Sequence, residues 1–588
     1  MPKYEAPIED MRFLLNQVFD FDAVMSDMGQ TEVDAALAID ILTEGGKLCS
    51  EVLNPINAVG DREGSRLENG SVRTPAGFAD AYKAYVEGGW PSISGDPDYG
   101  GQGLPGTVEA LFNEMLSSAN LSFGLFPGLT RGAVEAIQHH ANEELKATYL
   151  PKMISGEWTG VMALTESHAG TDIGLLKTRA EPQGDGSYKI TGTKIFISSG
   201  DHDFGGNIIH LVLARLPDAP EGVKGISLFL VPKLFLDAEG EPASPNALGI
   251  GALEHKMGIH AQPTCVVNYD GATGWLVGSP HKGLNAMFTM MNAERLFVGI
   301  QGLGIGEAAY QGARDYALER LQGRSSDGSK GPVPIIEHPD VRKMLLTARS
   351  WNEAGRALAA WTALQMDISK HHPDADKRAS AEGFVALLTP VLKAALTDFG
   401  FEAAVLAQQV FGGHGYICEW GMEQFVRDAR ITQIYEGTNG VQALDLTGRK
   451  LTFEDGRLAQ RFIALMRAEL DAAADVAEAA RLAEAARKAV DRLESVTAVI
   501  LDNFGSPGWV GSAATDYLRL FALTSYAWLW ARMAASAANN RSDLGNFADD
   551  KIGVARFFCE RVLPQTLALE AQILAGPASI TSFENIAV

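Results

Sequence analysis

The chain has 588 residues, 46% hydrophobic and 21% charged, a balance typical of a globular protein with three or four packed units. Its formal net charge of −24 argues against nucleic acid or an anionic membrane surface as the main partner, because phosphates would repel it. The cysteines Cys49, Cys265, Cys418 and Cys559 lie far apart, without a C-x-x-C pair. That pattern suits a reducing compartment and gives no zinc or disulfide framework.

No segment is predicted to direct the chain to or through a membrane. The N-terminal stretch MPKYEAPIEDMRFLLNQVFDF has acidic residues where a signal peptide would have a basic region and an apolar core. The best membrane candidate, residues 520–531, is bounded by Arg519 and Arg532 and is too short to span a bilayer. It is better explained as a buried helix, and the chain is predicted to be cytoplasmic.

The apolar pattern changes along the chain and predicts four domains. Residues 1–160 have mostly helical spacing, interrupted by the glycine-rich loop ISGDPDYGGQGLPG. Residues 161–285 contain short runs with turn signals, such as NIIHLVLARL and GISLFLVPK, which predict strands. Helical spacing returns in residues 286–455 and continues in an alanine-rich tract at 456–588, which predicts an extra helical domain. The predicted class is α+β, mainly helical.

Several familiar nucleotide, hydrolase and metal signatures are weak or missing. GIGEAA, residues 304–309, fits G-x-G-x-x-A but lies in a helical pattern, so close helix packing explains its glycines better than a dinucleotide fold. The sequence contains no Walker-type loop and no G-x-S-x-G elbow. The histidine pairs at 139–140 and 371–372 have no partners at metal-ligand spacing and are expected at the surface, so no metal site is predicted.

Three other stretches are more specific when taken together. MALTESHAGTD, residues 162–172, ends a predicted strand and enters a loop whose small residues and hydroxyls let backbone amides approach a flavin edge or a phosphate. KIFISSG, residues 194–200, places Phe196 and Ser198 on one face of a strand. Residues 408–440 join a helix end, a glycine turn and a loop with one glutamate. Each stretch alone also fits an ordinary turn, strand or cap, and their order carries the information.

With these motifs the sequence resembles the acyl-CoA dehydrogenase family over residues 80–450. TESHAGTD resembles the family's TEPxAGSD and KIFISS its KxWITN, while FGGHGY and RDARITQIYEGT resemble FGGxGY and RDxxIxxIYEGT. The resemblance implies the family fold of an N-terminal helical domain, a middle β-domain and a C-terminal helical bundle, here with an extra C-terminal helical domain. It also implies FAD as cofactor, an acyl-CoA substrate, an electron-transferring flavoprotein or similar acceptor, and a homodimer or dimer of dimers whose subunits complete each other's flavin sites.

The resemblance also implies roles for individual residues. Glu436 matches the family's catalytic base, and Thr438 lies beside the cofactor. Residues of the middle domain would face the flavin or its phosphates: Thr165, Thr171, Phe196 and Ser198. Residues of the helical bundle would hold the pyrophosphate and adenine across the dimer: Arg320, Gln409 and Gly413. The family's Trp and Thr are replaced here by Phe196 and Ser198, changes that keep an aromatic ring and a hydroxyl.

Such a reaction explains why a glutamate would sit in this loop. Dehydrogenation of an acyl-CoA removes a weakly acidic α-proton and a β-hydride, so the site must polarise the thioester carbonyl as the proton leaves. A carboxylate becomes a better base in an apolar pocket, where its pKa rises. Ile434, Tyr435 and Gly437 around Glu436 fit such a pocket. The hydride needs an acceptor that no side chain provides, hence the flavin.

The resemblance over the full length implies a short acyl-CoA with sulfur in the chain as substrate, namely 3-(methylthio)propanoyl-CoA in dimethylsulfoniopropionate demethylation. A general short- or medium-chain enzyme is the alternative, because a thioether and a methylene have similar size and polarity. An oxidase that passes electrons directly to oxygen stays open. A family relative that binds DNA with little activity is a further alternative, and the charge of −24 and the retained Glu436 count against it.

Overall fold

The computed structural model describes residues 2–324, 328 and 331–582, most of which lie in α-helices. The helices are α1 (Ile8–Phe13), α2 (Phe21–Asp27), α3 (Ala35–Lys47), α4 (Asn54–Glu63), α5 (Phe78–Glu87), α6 (Gly106–His140), α7 (Glu143–Ile154), α8 (Gly283–Glu319), α9 (Pro339–His371), α10 (Ala375–Val410), α11 (Met422–Arg430), α12 (Asn439–Gly448), α13 (Arg457–Ala474), α14 (Ala480–Asp502), α15 (Pro507–Asn539), α16 (Arg541–Leu544), α17 (Asn546–Phe557), α18 (Gln565–Leu574) and α19 (Ala578–Thr581). The strands are β1 (Arg66–Glu68), β2 (Ser71–Arg73), β3 (Thr159–Ala163), β4 (Arg179–Pro182), β5 (Tyr188–Ser198), β6 (Ile208–Arg215), β7 (Ile226–Pro232), β8 (Leu234–Leu236), β9 (Pro242–Pro245), β10 (Leu248–Leu253) and β11 (Thr264–Val277).

The chain divides into two compact units. One, here called the β unit, comprises Lys47–Leu104 and Ala119–Phe297. The other, here called the helical unit, comprises residues up to 46, residues 105–118 and residues from 298 onward. All strands belong to the β unit, and the helices α9 to α19 belong to the helical unit. Mainly helical elements around one strand-rich region agree with the predicted α+β class.

The β unit is built on a seven-stranded mixed sheet. Its strand order is β10-β11-β5-β4-β6-β3, with β7 paired to β11 and β6. Strands β3 and β6 are parallel, whereas β5 is antiparallel to β11. Strand β7 is buried along its whole length and β6 along nearly all of it, which explains their continuous apolar runs, since a strand covered on both faces has no polar side.

A β-hairpin lies inside the region that the sequence predicted as helical. Strands β1 and β2 pair antiparallel, and their turn carries Asn69 and Gly70, both with positive φ, at 51° and 80°. Asn-Gly is the preferred pair for a tight hairpin turn because both residues tolerate left-handed backbone. The signal for this hairpin was therefore local and readable from the sequence RLENGSVR.

In the helical unit, glycines allow helices to approach closely. A Cβ at Gly306 would lie 2.9 Å from Oδ1 of Asn352 on α9, and one at Gly304 would lie 2.8 Å from the carbonyl oxygen of Glu114 on α6. Larger residues would therefore push neighbouring elements away from α8. This confirms that the GIGEAA glycines serve helix packing.

The apolar stretch 520–531 is the interior of α15, and its side chains are buried, as predicted. One described helix, α10, is long and apolar enough to cross a membrane, but 78% of its apolar window is buried inside the protein, as in any core helix. His372, expected at the surface, is only 4% exposed. Its Nδ1 accepts from the N–H of Asp374 at 2.9 Å, and its Nε2 lies 3.1 Å from an Asp27 carboxylate oxygen.

A buried cluster of charges joins the last helices to the first helix of the chain. Arg356 on α9 and Lys551 on α17 are each 1% exposed, and both pair with the carboxylate of Asp10 on α1. Lys551 also contacts Glu353 at 2.7 Å, and Arg356 donates from Nε to Glu114 at 2.9 Å. Burial raises the pKa of Glu114 to about 7, although Arg356 opposes the shift. The extra helices are thus anchored by ion pairs as well as by apolar packing.

Candidate active site

Glu436 lies in the helical unit, in a short loop of residues 434–438 that we call the Glu436 loop. The loop connects the 3-10 turn Ile431–Gln433 to α12. Glu436 and Gly437 have left-handed backbone, with φ of 55° and 86°. That conformation costs about 1–2 kcal/mol for a residue with a side chain, so the surrounding structure has to hold Glu436 in it.

Groups on two neighbouring helices hold the loop in this form. Gln442 on α12 is 1% exposed and donates from Nε2 to the carbonyl oxygen of Glu436 at 3.1 Å. A Cβ at Gly437 would lie 2.7 Å from that same nitrogen, so glycine leaves room for the bond. The Tyr435 hydroxyl donates to the amide oxygen of Gln301 on α8. Hydrogen bonds therefore hold both the carbonyl group of Glu436 and the side chain of the residue before it.

Thr438 ends the loop and caps α12. Its Oγ1 accepts from the N–H of Val441 at 3.3 Å, the usual role of a threonine at a helix N-terminus. Ile434, expected to line an apolar pocket, is 44% exposed, whereas Tyr435 and Glu436 are half-buried. Ile434 and Tyr435 were both predicted to shield Glu436, and of these two only Tyr435 is partly buried.

The first predicted flavin motif forms a loop directly after β3 in the β unit. Thr165 is half-buried, and its carbonyl oxygen accepts from the N–H of Ile195 at 2.9 Å, which ties the loop to β5. Thr171 is exposed, and at Gly170 no atom lies within 4 Å of where a Cβ would be. The loop therefore offers a half-buried hydroxyl, an exposed one and open space next to the backbone.

Phe196 lies at a bulge near the end of β5. Its φ is 59°, and the pairing of β5 with β11 shifts register between Cys265 and Val267. Strict alternation puts Lys194 on the same face as Phe196, but Lys194 is fully buried whereas Phe196 is 57% exposed. The extra residue of the bulge turns the phenyl ring outward, with half-buried Ser198 after it. Regular strand geometry was thus an incomplete guide to this motif.

A buried ion pair that the sequence did not predict as functional joins these two motifs. Lys194 donates from Nζ to Glu166 at 2.9 Å, and Glu166 also accepts from the Thr178 hydroxyl at 2.6 Å. Burial opposes the charge of Glu166, but Lys194 and these hydrogen bonds lower the pKa of the Glu166 carboxyl to about 2. Burial lowers the pKa of Lys194 to about 8, so the pair is ionised at neutral pH. The available signal was a residue of each charge sign within the two short motifs, Glu166 in the first and Lys194 in the second.

The residues predicted to reach a neighbouring subunit's cofactor are all at the surface of the helical unit. Arg320 follows α8 directly, Gln409 is near the end of α10, and Gly413 is in the 3-10 turn Gly412–Tyr416. All three are exposed, and no atom lies within 4 Å of a Cβ placed at Gly413. This surface is open to an incoming group.

Aromatic contacts hold the end of α8 against this glycine turn. Tyr316, one helical turn before Arg320, stacks on Phe411 with ring centroids 4.0 Å apart. The Tyr316 hydroxyl lies 2.9 Å from Nδ1 of His414, which itself stacks on Trp420 with centroids 4.4 Å apart. The structure therefore brings together the segments that carry Arg320, Gln409 and Gly413.

Family profiles match the chain in order along most of its length. The acyl-CoA dehydrogenase N-terminal, middle and C-terminal domains match residues 48–157, 161–272 and 281–452. A domain described as acetyl-CoA dehydrogenase C-terminal like matches residues 462–584. The chain belongs to the acyl-CoA dehydrogenase family, whose members are FAD-dependent oxidoreductases.

Relatives with the same extent support this assignment. The chain is 43% identical to the 3-methylmercaptopropionyl-CoA dehydrogenase of Ruegeria pomeroyi, over 97% of this chain and 98% of the relative. It is 36% identical to a butyryl-CoA dehydrogenase of Syntrophomonas wolfei, over 96% and 95% of the two chains. The fold matches an acyl-CoA dehydrogenase complexed with FAD from Bacillus anthracis with a TM-score of 0.73, at 20% identity over 94% of this chain and 89% of that one. The predicted fold and FAD cofactor are confirmed.

Proposed function

We propose that this acyl-CoA dehydrogenase uses Glu436 as the base that removes the α-proton of its substrate. The observation that carries the proposal is the backbone of the Glu436 loop, where a glutamate is held in a left-handed conformation by Gln442 and next to a Tyr435 fixed by Gln301. Strained backbone that neighbouring groups hold in place is typical of functional positions. A surface glutamate has no need of such support.

The reaction requires the base and the hydride acceptor to act on adjacent carbons. The Glu436 carboxylate takes the α-proton, the electrons of that C–H bond form the α,β double bond, and the β-hydrogen leaves as hydride. FAD, when bound, supplies the hydride acceptor. Backbone N–H donors aimed at the thioester carbonyl lower the barrier by stabilising the charge that develops on its oxygen. The product is the 2-enoyl-CoA.

Exposed and half-buried groups in the β unit suit one edge of a flavin. Thr165, Thr171 and Ser198 offer hydroxyls, and the phenyl ring of Phe196 is presented to solvent by a strained backbone rather than packed into the core. An aromatic ring held outward in this way is suited to contact a flat ring system. Thr438, which closely follows Glu436 in the helical unit, is proposed to contact FAD as well.

The surface around the glycine turn suits contact with a second copy of the chain. Tyr416 is 84% exposed and Ile417 is 47% exposed, beside the exposed Arg320, Gln409 and Gly413. Large exposed apolar side chains next to an arginine are typical of interfaces. We therefore place these residues on a neighbouring subunit's FAD, in a homodimer or dimer of dimers. An electron-transferring flavoprotein or similar acceptor would reoxidise the cofactor.

The proposed substrate is 3-(methylthio)propanoyl-CoA, which would give 3-(methylthio)acryloyl-CoA in dimethylsulfoniopropionate demethylation. The support is the 43% identity with the Ruegeria pomeroyi enzyme over nearly the full length of both chains. A general short- or medium-chain activity is the second candidate, and the 36% identity with a butyryl-CoA dehydrogenase favours it.

The base assignment is tested by Glu436→Gln, which removes the basic oxygen but keeps the size of the side chain. The holoenzyme variant should fold, stay yellow and bind acyl-CoA, but its single-turnover flavin reduction should fall by at least ~10²–10⁴-fold. Glu382→Gln, at an exposed glutamate on α10, is the control and should reduce at the wild-type rate. A loss below about tenfold in Glu436→Gln would leave the protein without an identified base.

The substrate is tested by comparing acyl-CoA thioesters with an external electron acceptor. We expect kcat/KM for 3-(methylthio)propanoyl-CoA to be at least comparable to that for butanoyl-CoA and well above that for palmitoyl-CoA. One methylene in an apolar pocket changes binding by only ~1–3 kcal/mol, so neighbouring short chains should react as well. An optimum at long chains would remove the substrate assignment and leave the reaction class intact.

The shared flavin site is tested by dilution. If Arg320 and Gln409 hold a neighbouring subunit's FAD, monomers formed at low protein concentration should lose the cofactor faster than the assembled enzyme does. Arg320→Ala should weaken FAD retention without a matching loss of thermal stability, because the residue is exposed in the single chain. Equal FAD retention by monomer and oligomer would contradict a shared site.

A further inference from the structure

The residues at the two ends of the Glu436 loop bind the same oxygen atom. Gln433, just before the loop, donates from Nε2 to Oδ1 of Asp398 on α10 at 2.6 Å. Asn439, just after the loop, donates from Nδ2 to the same Oδ1 at 2.7 Å. One carboxylate oxygen thus joins the start and the end of the loop that presents Glu436.

Each of these amides also accepts a hydrogen bond from a cation. Arg430 donates from Nη1 to the Gln433 side-chain oxygen at 3.0 Å, and the fully buried Lys393 donates from Nζ to the Asn439 side-chain oxygen at 2.9 Å. A cation on the oxygen of an amide strengthens its N–H as a donor, since hydrogen bonds in a chain polarise one another. Each amide therefore bridges a cation and the Asp398 carboxylate. Both its oxygen and its nitrogen are hydrogen-bonded, so its orientation is fixed.

The charge of Arg519, on one of the extra helices, also acts on the Asp398 carboxyl. Burial raises the pKa of the Asp398 carboxyl, while the bonds from Gln433 and Asn439 and the charge of Arg519 oppose that shift. Arg519 on α15 pairs with Glu402, one turn along α10 from Asp398, at 2.6 Å and 3.0 Å. Glu402 counters part of the effect of Arg519 on Asp398. Arg519 therefore acts on Asp398 through its charge, while its hydrogen bonds go to Glu402.

The Glu436 loop needs such support because its own backbone is strained. Glu436 and Gly437 are both left-handed, and the Gln442 side chain donates to both of their carbonyl oxygens, at 3.1 Å and 3.5 Å. Fixing both ends of a short loop limits the backbone conformations open to it and so restricts the direction of its central side chain.

We propose that Asp398 is a positioning residue for Glu436. Its carboxylate clamps Gln433 and Asn439, and the clamp keeps the glutamate aimed at the α-carbon of the acyl-CoA. The inference rests on the proposed role of Glu436 as base.

Hydrogen exchange of the holoenzyme tests the clamp independently of activity. Asp398→Leu removes the acceptor, whereas Asp398→Asn keeps an oxygen where both amides donate, and Glu402→Gln breaks the Arg519 pair one turn away. Amides in the peptide 433–440 should exchange faster in Asp398→Leu only, while peptides from α9 and α15 keep wild-type protection in all three variants. Loss of protection throughout α10 in Asp398→Leu, or wild-type exchange of the loop, would overturn the proposal.

Single-turnover flavin reduction tests the consequence for the reaction. Asp398→Leu should slow reduction by about 10–100-fold, the usual effect of a misplaced catalytic group. Its acyl-CoA dissociation constant should stay near wild type, and Asp398→Asn should recover most of the rate. An equal loss in Glu402→Gln would show that helix packing, and not the clamp, is responsible.

The outcomes separate this proposal from the proposed function. Wild-type reduction by Glu436→Gln in the same assay would remove the base assignment. Inactive Glu436→Gln together with wild-type reduction by Asp398→Leu would remove the clamp alone. If Asp398→Leu does not fold, Gln433→Met takes its place, because Gln433 is only half-buried and supplies one of the two donors. Wild-type loop exchange and rate in Gln433→Met would then overturn the proposal.

Discussion

The Glu436 loop and the Phe196 bulge both contain strained backbone, but different contacts hold that backbone in place. Both hold a non-glycine residue in left-handed backbone, with φ of 55° at Glu436 and 59° at Phe196. The Glu436 loop is held by neutral amides that converge on the Asp398 carboxylate. The Phe196 bulge follows Lys194, whose ammonium group is buried against Glu166. In both places a polar group outside the strained segment, half-buried at Asp398 and fully buried at Lys194, fixes what local propensity would not.

The difference between the anchors predicts a difference in sensitivity. When an amide is lost from the Glu436 loop, the Asp398 carboxylate keeps its other donor. When one partner of the ion pair is lost, the other is left as an uncompensated charge inside the β unit, because Lys194 is 0% and Glu166 5% exposed. Mutations at the bulge should therefore lower the stability of the fold and release the cofactor. Mutations at the loop should mainly lower the rate of flavin reduction.

The largest effect is expected for Lys194→Met. Removing one partner of a buried ion pair typically costs about 3–5 kcal/mol, so the free energy of unfolding of the variant should fall by that amount and FAD should be lost on purification. Lys189→Met on the same strand is the control, since Lys189 is exposed and its ammonium group donates to the Thr273 hydroxyl at 2.8 Å. A Lys194→Met protein as stable as Lys189→Met would contradict this account of the bulge.

The pH dependence of stability should show the same ion pair. The pKa of Glu166 is lowered from 4.5 to about 2 in the folded protein, so its contribution is present above pH 4.5 and is lost as the pH falls toward 2. In urea unfolding, wild type should exceed Glu166→Gln by on the order of 3 kcal/mol at neutral pH, and the gap should close through that window. A gap that stays constant at acid pH would mean that Glu166 is not ionised against Lys194.

A smaller effect is expected for Gly437→Ala. Alanine in left-handed backbone costs about 1–2 kcal/mol, and its Cβ would press on the Gln442 amide. Flavin reduction should slow while FAD content stays unchanged. Gly440→Ala, with its nearest neighbour the Thr438 Oγ1 at 3.8 Å, is the matched control and should be close to wild type in both measurements. Equal behaviour of the two alanine variants would show that the loop conformation does not matter for the rate.

The smallest effect on stability is expected for Phe196→Gly. Glycine accepts left-handed backbone without strain, and the phenyl ring is 57% exposed, so the free energy of unfolding of the apoprotein should change by less than about 1 kcal/mol. FAD should nevertheless dissociate faster, because the ring would no longer contact the cofactor. A large loss of apoprotein stability would mean that the ring serves the fold rather than the flavin.

Parts of the fold were readable because their signals are local. Helical spacing, continuous apolar strands and the glycines at 304 and 306 each depend on residues close in sequence, and the structure agrees with them. The hairpin at Asn69 and Gly70 had an equally local signal. The surface expectation for His372 was wrong because its burial depends on Asp27 and Asp374, of which only the second is a sequence neighbour.

The candidate site likewise has features that could be predicted from local sequence and features that could not. Motif order and spacing indicated the family, the FAD cofactor and the stretch that carries Glu436. The left-handed backbone of Glu436 and Phe196 was not readable, because no residue type there demands it as glycine would. Nor was the role of Asp398, whose partners Gln433 and Asn439 lie 35 and 41 positions away.

The sequence alone determined the family and the predicted set of site residues, because residue identity and short spacing encode which groups are present. Only the tertiary structure decided how those groups are held, because the supports are hydrogen bonds and ion pairs between distant segments. Lys194 meets Glu166 across 28 positions, and Arg519 reaches Glu402 across 117. Such contacts form only when the fold brings distant segments together. Where both partners are buried, as at Lys194 and Glu166, an unpaired charge is costly enough to fix one conformation.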